Sequence, residues 1–272
     1  MSNWEQYCLS KEAELQKMFP SANLKNPQTL TDKLQWLKIH DSTFFKAYCA
    51  DKITLRDFCK SKIGKDLCIP ILAIYDKPEN IVWEKLPMQF VIKCNHGSGY
   101  NIIVKNKNTV NRQKIYNTLN NWLKIKYGSL SYELYYNLIP PKIFIEQYQD
   151  FHGGSLLDYK FWCFNGEPKF FTINGDFGHG HFNHYDLNGK LLDISRTDFP
   201  ADFNRKDTLP KTLQDMIRYS KILSKDFRFV RVDFYEINDK PVLGEMTFIP
   251  GSGRMKYKNQ NTDLELGKLL NL

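Results

Sequence analysis

The sequence contains 272 residues with a formal net charge of +8, and 42% of the residues are hydrophobic while 25% are charged. This composition is ordinary for a globular protein, and the length allows more than one subdomain. Because no stretch approaches ~20 consecutive apolar residues, and because the N-terminal residues lack the apolar core of a signal peptide, we expect neither membrane insertion nor secretion.

The cysteines and the basic residues limit the compartment and the partners. The six cysteines are scattered without a Cys-x-x-Cys pair, at positions Cys8, Cys49, Cys59, Cys68, Cys94 and Cys163. This pattern favours reduced thiols in the cytoplasm over a disulfide framework or a zinc site. The positive charge suits a phosphate, a nucleotide, nucleic acid or an anionic polymer. Because no basic stripe with interleaved aromatic residues occurs, we expect no nucleic-acid partner.

Apolar periodicity and turn residues predict the order of the elements. In the first half we expect helices over residues 1–64, a strand in 68–76, a strand, glycine loop and strand in 86–107, a helix over 112–127 and a strand in 139–150. From residue 151 the pattern is β-rich, with two alternating runs around an Asn165-Gly166 turn, a helix over 210–225 and a final hairpin. This order predicts an α+β fold with antiparallel sheets. Neither GxGxxG nor GxxxxGK[ST] occurs, so neither a Rossmann nor a P-loop site is indicated.

The final hairpin, RVDFYEINDKPVLGEMTF, places two carboxylates opposite each other. With a loop at residues 238–240, the predicted pairs are Tyr235 with Leu243, Asp233 with Glu245 and Arg231 with Thr247. Like charges that face each other at a Cβ separation of roughly 5 Å are destabilising. Arg231, a shared proton or a divalent cation could compensate, and Asp233, Glu245 and the Thr247 hydroxyl would suit Mg²⁺. The alternative is a solvated face with surface charges.

A strand that carries Lys93 leads into the glycine loop His96-Gly97-Ser98-Gly99. Two glycines around a serine allow backbone N–H groups to converge on an anion, and Ser98 adds a hydroxyl donor. Lys93 would bring a positive charge to the same place. An ordinary glycine hairpin with a solvated lysine fits the same residues.

Two further strands carry polar residues of open meaning. The apolar strand IFIEQYQ ends in Glu146, Gln147 and Tyr148, which could contact an adenine edge or simply end the strand. Lys160 lies in an aromatic strand, where an unpaired ammonium is costly, so it faces either phosphate or water.

Histidine and cysteine offer no clear catalytic arrangement. The segment GHGHFNH contains His179, His181 and His184, which we interpret as a substrate-contacting or surface loop rather than a metal site. Cys94 has only His96 as a nearby partner, so a cysteine nucleophile is not favoured.

The order of these elements resembles the ATP-grasp superfamily. More closely, QWLKIHD, ADKITLRDF, IPILAIYD, LPMQFVIKCNHGSG, DYKFWCFNGEP and GEMTFIPGSG resemble the TupA-like ATP-grasp family of polysaccharide gene clusters, over residues 30–255. The resemblance implies two α+β subdomains that grip ATP with antiparallel sheets, after a helical N-terminal region. The expected boundaries are 1–84 for that region, 85–150 for the lid subdomain and 151–272 for the C-terminal subdomain.

The resemblance also assigns roles to the residues. The implied ATP contacts are Lys52 and Lys93 at the phosphates, Gly97, Ser98 and Gly99 in the lid loop, Glu146, Gln147 and Tyr148 at the adenine, and Lys160 on a strand facing the nucleotide. Asp233 and Glu245 match the Mg²⁺ ligands and Arg231 the arginine near the transferred phosphate. Thr247 replaces the asparagine that is usual in the ligases, which leaves the number of metal ions open.

The implied reaction is ATP-dependent amide formation through an acyl phosphate, with ADP and phosphate as products. Arg231 and Lys93 would be the catalytic residues, with ATP and Mg²⁺ as cofactors. The expected substrates are a uronic acid of a capsular or other surface polysaccharide, or its precursor, and an amino acid or small amine. A sugar kinase on the same fold, a glycosyltransferase and a module that only binds an anionic polymer remain alternatives. Candidate substrate residues are His179, His181, Asn183, Arg205, Ser252 and Arg254.

Overall fold

The computed structural model describes residues 1–149, 157–174 and 180–272, and these residues form a mixed α+β structure. The α-helices are α1 (Asn3–Ser10), α2 (Glu12–Met18), α3 (Leu30–His40), α4 (Phe44–Ala50), α5 (Leu55–Ile63), α6 (Arg112–Lys124), α7 (Tyr127–Ser131), α8 (Leu213–Ser224) and α9 (Gln260–Lys268). The strands are β1 (Ile71–Tyr75), β2 (Phe90–Cys94), β3 (Asn101–Val104), β4 (Ile143–Gln147), β5 (Asp158–Phe164), β6 (Glu167–Asn174), β7 (Phe182–Asp186), β8 (Phe229–Ile237) and β9 (Lys240–Thr247).

The N-terminal residues form five short helices. Thr29 caps α3 by accepting a hydrogen bond from the Asp32 amide, while the Asp32 side chain reaches back to the cap in a capping box. Helix α5 ends at Gly64, whose φ of 85° is the left-handed conformation that glycine adopts at low cost. No helix within the described ranges is long and apolar enough to cross a membrane.

The first sheet is antiparallel with the strand order β1-β4-β2-β3. Its inner face packs on α6, which buries Ile115 and Leu119 on one side of the helix. Strand β1 is the short strand predicted within the helical N-terminal region 1–84, and it pairs with β4 of the predicted lid subdomain. The first sheet therefore extends across the predicted boundary at residue 84.

The second sheet is also antiparallel, with the order β7-β6-β5-β8-β9. The Asn165-Gly166 turn joins β5 and β6 with positive φ at both residues (50° and 80°), as the sequence predicts. One face of the sheet buries Phe161, Phe171 and Phe234 in aromatic contact, and α8 packs against the sheet. Helix α4 contacts β9 and helix α5 contacts α8, so the N-terminal helices are part of the same core.

The β8–β9 hairpin differs from its predicted register near the turn. Lys240 pairs with Ile237, so the loop contains only Asn238 and Asp239, both with positive φ (51° and 57°). Tyr235 therefore pairs with Val242, and the predicted Tyr235–Leu243 pair is wrong. A β-bulge that adds Gly244 then shifts the register, which leaves the predicted pairs of Asp233 with Glu245 and Arg231 with Thr247 in place.

Candidate active site

Arg231 compensates the facing carboxylates of the hairpin. Its Nε and Nη2 atoms donate to the two oxygens of Asp233 at 2.7 and 2.6 Å, which is a bidentate ion pair. Nη2 also lies 3.6 Å from Glu245 Oε1 and donates to Thr247 Oγ1 at 3.3 Å. The Thr247 hydroxyl donates to Glu245 Oε1 at 3.2 Å. The four residues that share this face therefore form one connected polar cluster.

Lys160 lies between two carboxylates rather than in water. Its Nζ donates to Asp233 Oδ2 at 2.8 Å and also forms an ion pair with Asp158, and the whole residue is only 8% exposed. Burial lowers the pKa of Lys160, but Asp233 and Asp158 outweigh it, so that the pKa is raised overall. Burial raises the pKa of Asp158 to about 6 despite the opposing charge of Lys160.

Lys52 connects the hairpin to the glycine loop. It lies in the turn between α4 and α5, where Asp51 Oδ1 accepts a hydrogen bond from the Ile53 amide at 2.8 Å. Lys52 Nζ donates to the Gly97 carbonyl at 2.8 Å and lies 3.7 Å from Glu245 Oε2. Burial would raise the pKa of Glu245, but the surrounding cations, Lys52 foremost, lower it to about 2. Glu245 is therefore an anion at neutral pH.

The glycine loop is shaped by its aromatic neighbours. A Cβ atom on Gly97 would lie 2.6 Å from Tyr100 Cε2 and 3.0 Å from Tyr127 Cδ2, so only glycine fits there. Gly99 has a φ of 77°, again a glycine conformation, and both Ser98 and Gly99 are exposed. The loop therefore has an anchored first residue and an open tip.

Glu146 is held by two cations at the end of β4. Lys93 Nζ lies 2.5 Å from Glu146 Oε2, and Arg56 Nη2 donates to Oε1 at 3.2 Å. Lys93, for which the sequence suggests a phosphate contact, is thus paired with Glu146 in this structure. The Gln147 amide donates to the Pro70 carbonyl at 3.0 Å, within the first sheet.

Tyr235 relates the two charged clusters to each other. Burial raises the pKa of the Tyr235 phenol, and the negative charges of Asp158, Glu245, Asp233 and Glu146 add to this effect. The phenol is therefore close enough to feel the carboxylates of both clusters.

The sequence matches the model of a known protein family. A family model described as TupA-like ATPgrasp matches residues 32–271. The chain belongs to the TupA-like ATP-grasp family. Membership confirms the predicted family and its ATP-grasp fold.

Solved structures of similar overall fold include several ligases. The D-alanine–D-alanine ligase from Bacillus anthracis complexed with ATP is 14% identical, with a TM-score of 0.44 over 75% of this chain and 55% of that one. The Helicobacter pylori D-alanine–D-alanine ligase is 17% identical, with a TM-score of 0.46 over 82% and 61%. The L-amino acid ligase from Bacillus licheniformis is 13% identical, with a TM-score of 0.45 over 78% and 43%. The chain thus spans less than two thirds of these proteins. No curated protein matches the sequence significantly.

Residues that the sequence analysis did not assign contact the candidate site residues. Arg56 binds Glu146, and Asp158 binds Lys160. Both carry a local signal, because Arg56 follows Lys52 by four residues in ADKITLRDF, and Asp158 shares a strand face with Lys160 at a spacing of two. Gly244 is a third residue that the sequence analysis did not assign. A Cβ atom at Gly244 would lie 2.9 Å from Tyr235 Cε2.

The predicted substrate residues of β7 and the following loop make structural contacts. Asn183 donates to Asp207 at 2.8 Å, Arg205 Nε lies 2.6 Å from the same carboxylate, and His181 Nδ1 lies 2.9 Å from the Pro200 carbonyl. These contacts hold the segment 195–208 against β7, and a role in substrate binding remains a prediction. His179 lies outside the described residues.

The residues of the hairpin fit a magnesium ion. Asp233, Glu245 and Thr247 offer only oxygen atoms, which Mg²⁺ prefers, and Glu245 is ionised. In the three described ranges, no group of three or more His, Cys, Asp or Glu residues is arranged to hold a metal. Mg²⁺ takes few protein ligands and completes its shell with water and substrate phosphates.

Proposed function

We propose that this ATP-grasp protein is a carboxylate–amine ligase that forms an amide through an acyl phosphate, with release of ADP and phosphate. The observation that carries the proposal is the cluster in which Lys52, Lys160 and Arg231 surround the facing Asp233 and Glu245 beside the glycine loop. A dense array of both charges suits a nucleotide triphosphate with a divalent cation.

The proposed chemistry needs charge neutralisation and positioning more than a nucleophilic side chain. The substrate carboxylate attacks the γ-phosphorus of ATP and ADP leaves. The amine then attacks the acyl carbon, loses a proton and expels phosphate. Lys52 and Lys160 would offset phosphate charge, and Arg231 would stabilise the charge that develops on the transferred group. Asp233, Glu245 and Thr247 would hold Mg²⁺, which would supply positive charge to offset that of the phosphates.

The nucleotide would lie between the two sheets, with its base beside the end of β4. Glu146 and the backbone of Gln147 and Tyr148 would contact the adenosine, with Lys93 extending from Glu146 towards the phosphates. The exposed tip at Ser98 and Gly99 would close over the phosphates. The predicted lid subdomain (85–150) and C-terminal subdomain (151–272) would hold the nucleotide from its two sides.

For the substrates, we propose a uronic acid of a capsular or other surface polysaccharide, or its precursor, as the carboxylate and an amino acid or small amine as the second substrate. The resemblance of the six motifs to the family of polysaccharide gene clusters supports this assignment. The net charge of +8 favours an anionic sugar over a cationic one.

The test combines the purified protein with ATP, Mg²⁺, glucuronic acid and a mixture of amines, and follows phosphate release and new masses. We expect an amide mass that is lost in Asp233→Asn and Glu245→Gln. Asp226→Asn is the matched control, because this carboxylate pairs with Lys62 on the surface. A phosphorylated sugar without an amide would instead support the kinase, and consumption of a nucleotide sugar without ATP would support the glycosyltransferase.

A further inference from the structure

The segment after β9 has an unusual backbone. A short 3-10 turn at Pro250–Gly253 begins three residues after Thr247, and Gly251, Ser252 and Gly253 have φ values of 56°, 53° and 62°. Three successive left-handed residues are uncommon, and Ser252 pays a steric cost that glycine avoids. Such a conformation persists only where the surrounding structure holds it.

Three buried polar side chains hold this loop, which we name the 250–253 loop. Gln35 Nε2 donates to the carbonyls of Ser252 and Gly253 at 3.1 and 2.7 Å. Lys38 Nζ donates to the Ser252 carbonyl at 3.0 Å, and also to the Ser131 carbonyl at 2.8 Å. Glu133 Oε1 accepts a hydrogen bond from Ser252 Oγ at 2.9 Å. The loop is therefore bound through both its backbone and its one hydroxyl.

Burial of the Lys38 and Glu133 side chains costs free energy, so their presence in the core needs a reason other than packing. Lys38 is 0% exposed and Glu133 is 4% exposed. Burial lowers the pKa of Lys38 to about 7 and raises the pKa of Glu133. Apolar residues of similar volume would be at least as stable in such a place. The specific hydrogen bonds to Ser252, rather than core stability, are what the two charged residues provide.

The loop follows β9, which carries Glu245 and Thr247, and its last residue lines a large cavity. Burial raises the phenol pKa values of Tyr127 and Tyr136, and the negative charges of Glu133 and Glu245 add to this effect. Gly253 and Arg254 line a cavity of about 700 Å³ that helices α2 and α3 close on the other side. Arg254 stacks on Phe19 at this cavity, 4.8 Å from the ring centre.

We propose that Lys38 and Glu133 are positioning residues, which fix the 250–253 loop where the phosphoryl-transfer site meets a cavity that receives the sugar acid. The proposal rests on the proposed ligase function for the identity of the acceptor. The exposed Arg254 guanidinium would donate hydrogen bonds to hydroxyl groups of that acid, which leaves its carboxylate to react with the γ-phosphate. The QWLKIHD segment contributes Gln35 and Lys38. It thereby influences binding of the sugar acid through the 250–253 loop.

The first test measures the loop itself. Lys38→Met removes the amine while keeping a long apolar side chain, and we expect amide hydrogen exchange in residues 250–254 to accelerate roughly ten- to hundredfold. Lys46→Met is the matched control, because Lys46 is another buried lysine but donates to Asp41 at 2.6 Å and not to this loop. Unchanged exchange in Lys38→Met, or equal acceleration in both variants, would overturn the positioning role.

The second test measures the acceptor. In Ser252→Ala and Glu133→Gln we expect the KM for the sugar acid to rise about tenfold, while the Kd of an ATP analogue stays the same. The double variant should be no worse than the poorer single variant, because Glu133 acts through the Ser252 hydroxyl. Additive effects, or an equal change in nucleotide affinity, would contradict the proposal. If the wild type forms no amide with any acid, both the ligase function and the acceptor assignment are wrong. The hydrogen-exchange result tests the positioning role independently of that outcome.

Discussion

Glu245 keeps its negative charge in a crowded site, and this has a consequence for stability. Burial favours its neutral form, but Lys52, Arg231 and Lys160 lower its pKa to about 2 from an ordinary value of 4.5. A carboxylate whose pKa is lower in the folded state stabilises the fold above pH 4.5, and this contribution disappears as the pH falls towards 2.

We therefore expect Glu245→Gln to flatten the acid side of the stability profile. The free energy of unfolding of the wild type should decline between pH 5 and the lowest pH at which it stays folded, and the variant should decline less steeply. Urea unfolding without nucleotide at several pH values measures this. A decline of equal steepness in both proteins would mean that Glu245 is not held as an anion by its neighbours.

Asp158 should show the opposite pH dependence. Burial raises its pKa to about 6 from 3.8, so the folded protein binds this proton more tightly than the unfolded chain. Its contribution to stability is therefore largest below pH 3.8 and is lost as the pH rises through 6. In Asp158→Asn this loss should be absent. Between pH 4 and 7, the free energy of unfolding of the variant should therefore rise relative to that of the wild type in the same urea experiment. A variant that loses on the wild type over that range would contradict this sign.

Arg56 supports Glu146, which we propose to contact the adenosine. Arg56→Gln would leave Glu146 with Lys93 alone, and loss of one charge-assisted hydrogen bond should raise the KM for ATP about tenfold with a smaller change in kcat. Arg218→Gln is the control, because Arg218 pairs with Asp215 on an exposed helix face. An unchanged KM for ATP in Arg56→Gln would argue against Glu146 at the nucleotide.

At the scale of elements, the β8–β9 hairpin depends on its bulge. A Cβ on Gly244 would lie 2.9 Å from Tyr235 Cε2 and 3.3 Å from the Asp233 carbonyl. Gly244→Ala should therefore move Glu245 relative to Asp233, lower the free energy of unfolding by about 1–3 kcal/mol and reduce amide formation more than that loss explains.

Gly64→Ala separates this effect from general destabilisation. Gly64 has a φ of 85° at the end of α5, with no atom close to an added Cβ, so alanine there costs about 1 kcal/mol through backbone strain alone. Thermal unfolding and amide formation, measured for both variants, decide the question. Equal activity at equal stability would show that the bulge does not position Glu245.

The same hairpin shows which parts of an element the sequence determines. Alternation over RVDFYE and GEMTF predicted that Asp233 faces Glu245, because register on a half-buried sheet is specified by the apolar residues of the other face. The turn and the bulge were not predicted. A two-residue loop plus one extra residue gives the same outer register as a three-residue loop, and only the Tyr235 packing against Gly244 distinguishes them.

At the scale of the whole molecule, the contacts that the sequence did not predict are those between residues far apart in the chain. Arg56 and Glu146 are 90 positions apart, and Lys38 and Ser252 are 214 apart. Local patterns placed Glu146 at a strand end, but nothing local to Glu146 or to Ser252 indicates its partner. The resemblance to a family supplied the convergence of Lys52 with the hairpin, and the structure then identified the cations that surround it.

This convergence predicts that nucleotide and metal bind cooperatively. Lys52, Lys160 and Arg231 pair with Asp233 and Glu245, so Mg²⁺ alone must compete with three cations. Phosphates would attract those cations and free the carboxylate oxygens for the metal. Each ligand should then raise the affinity of the other by the same factor, typically about 5- to 150-fold.

Isothermal titration with a non-hydrolysable ATP analogue, with and without Mg²⁺, measures this coupling. We expect the analogue to bind the wild type at least about tenfold more tightly with Mg²⁺, and Glu245→Gln to lose most of that gain. Glu265→Gln is the control, because Glu265 pairs with Lys268 on the exposed side of α9. Some gain comes from the metal–nucleotide complex formed in solution, and this part is common to all three proteins. A gain that Glu245→Gln retains in full would therefore place the metal away from the hairpin.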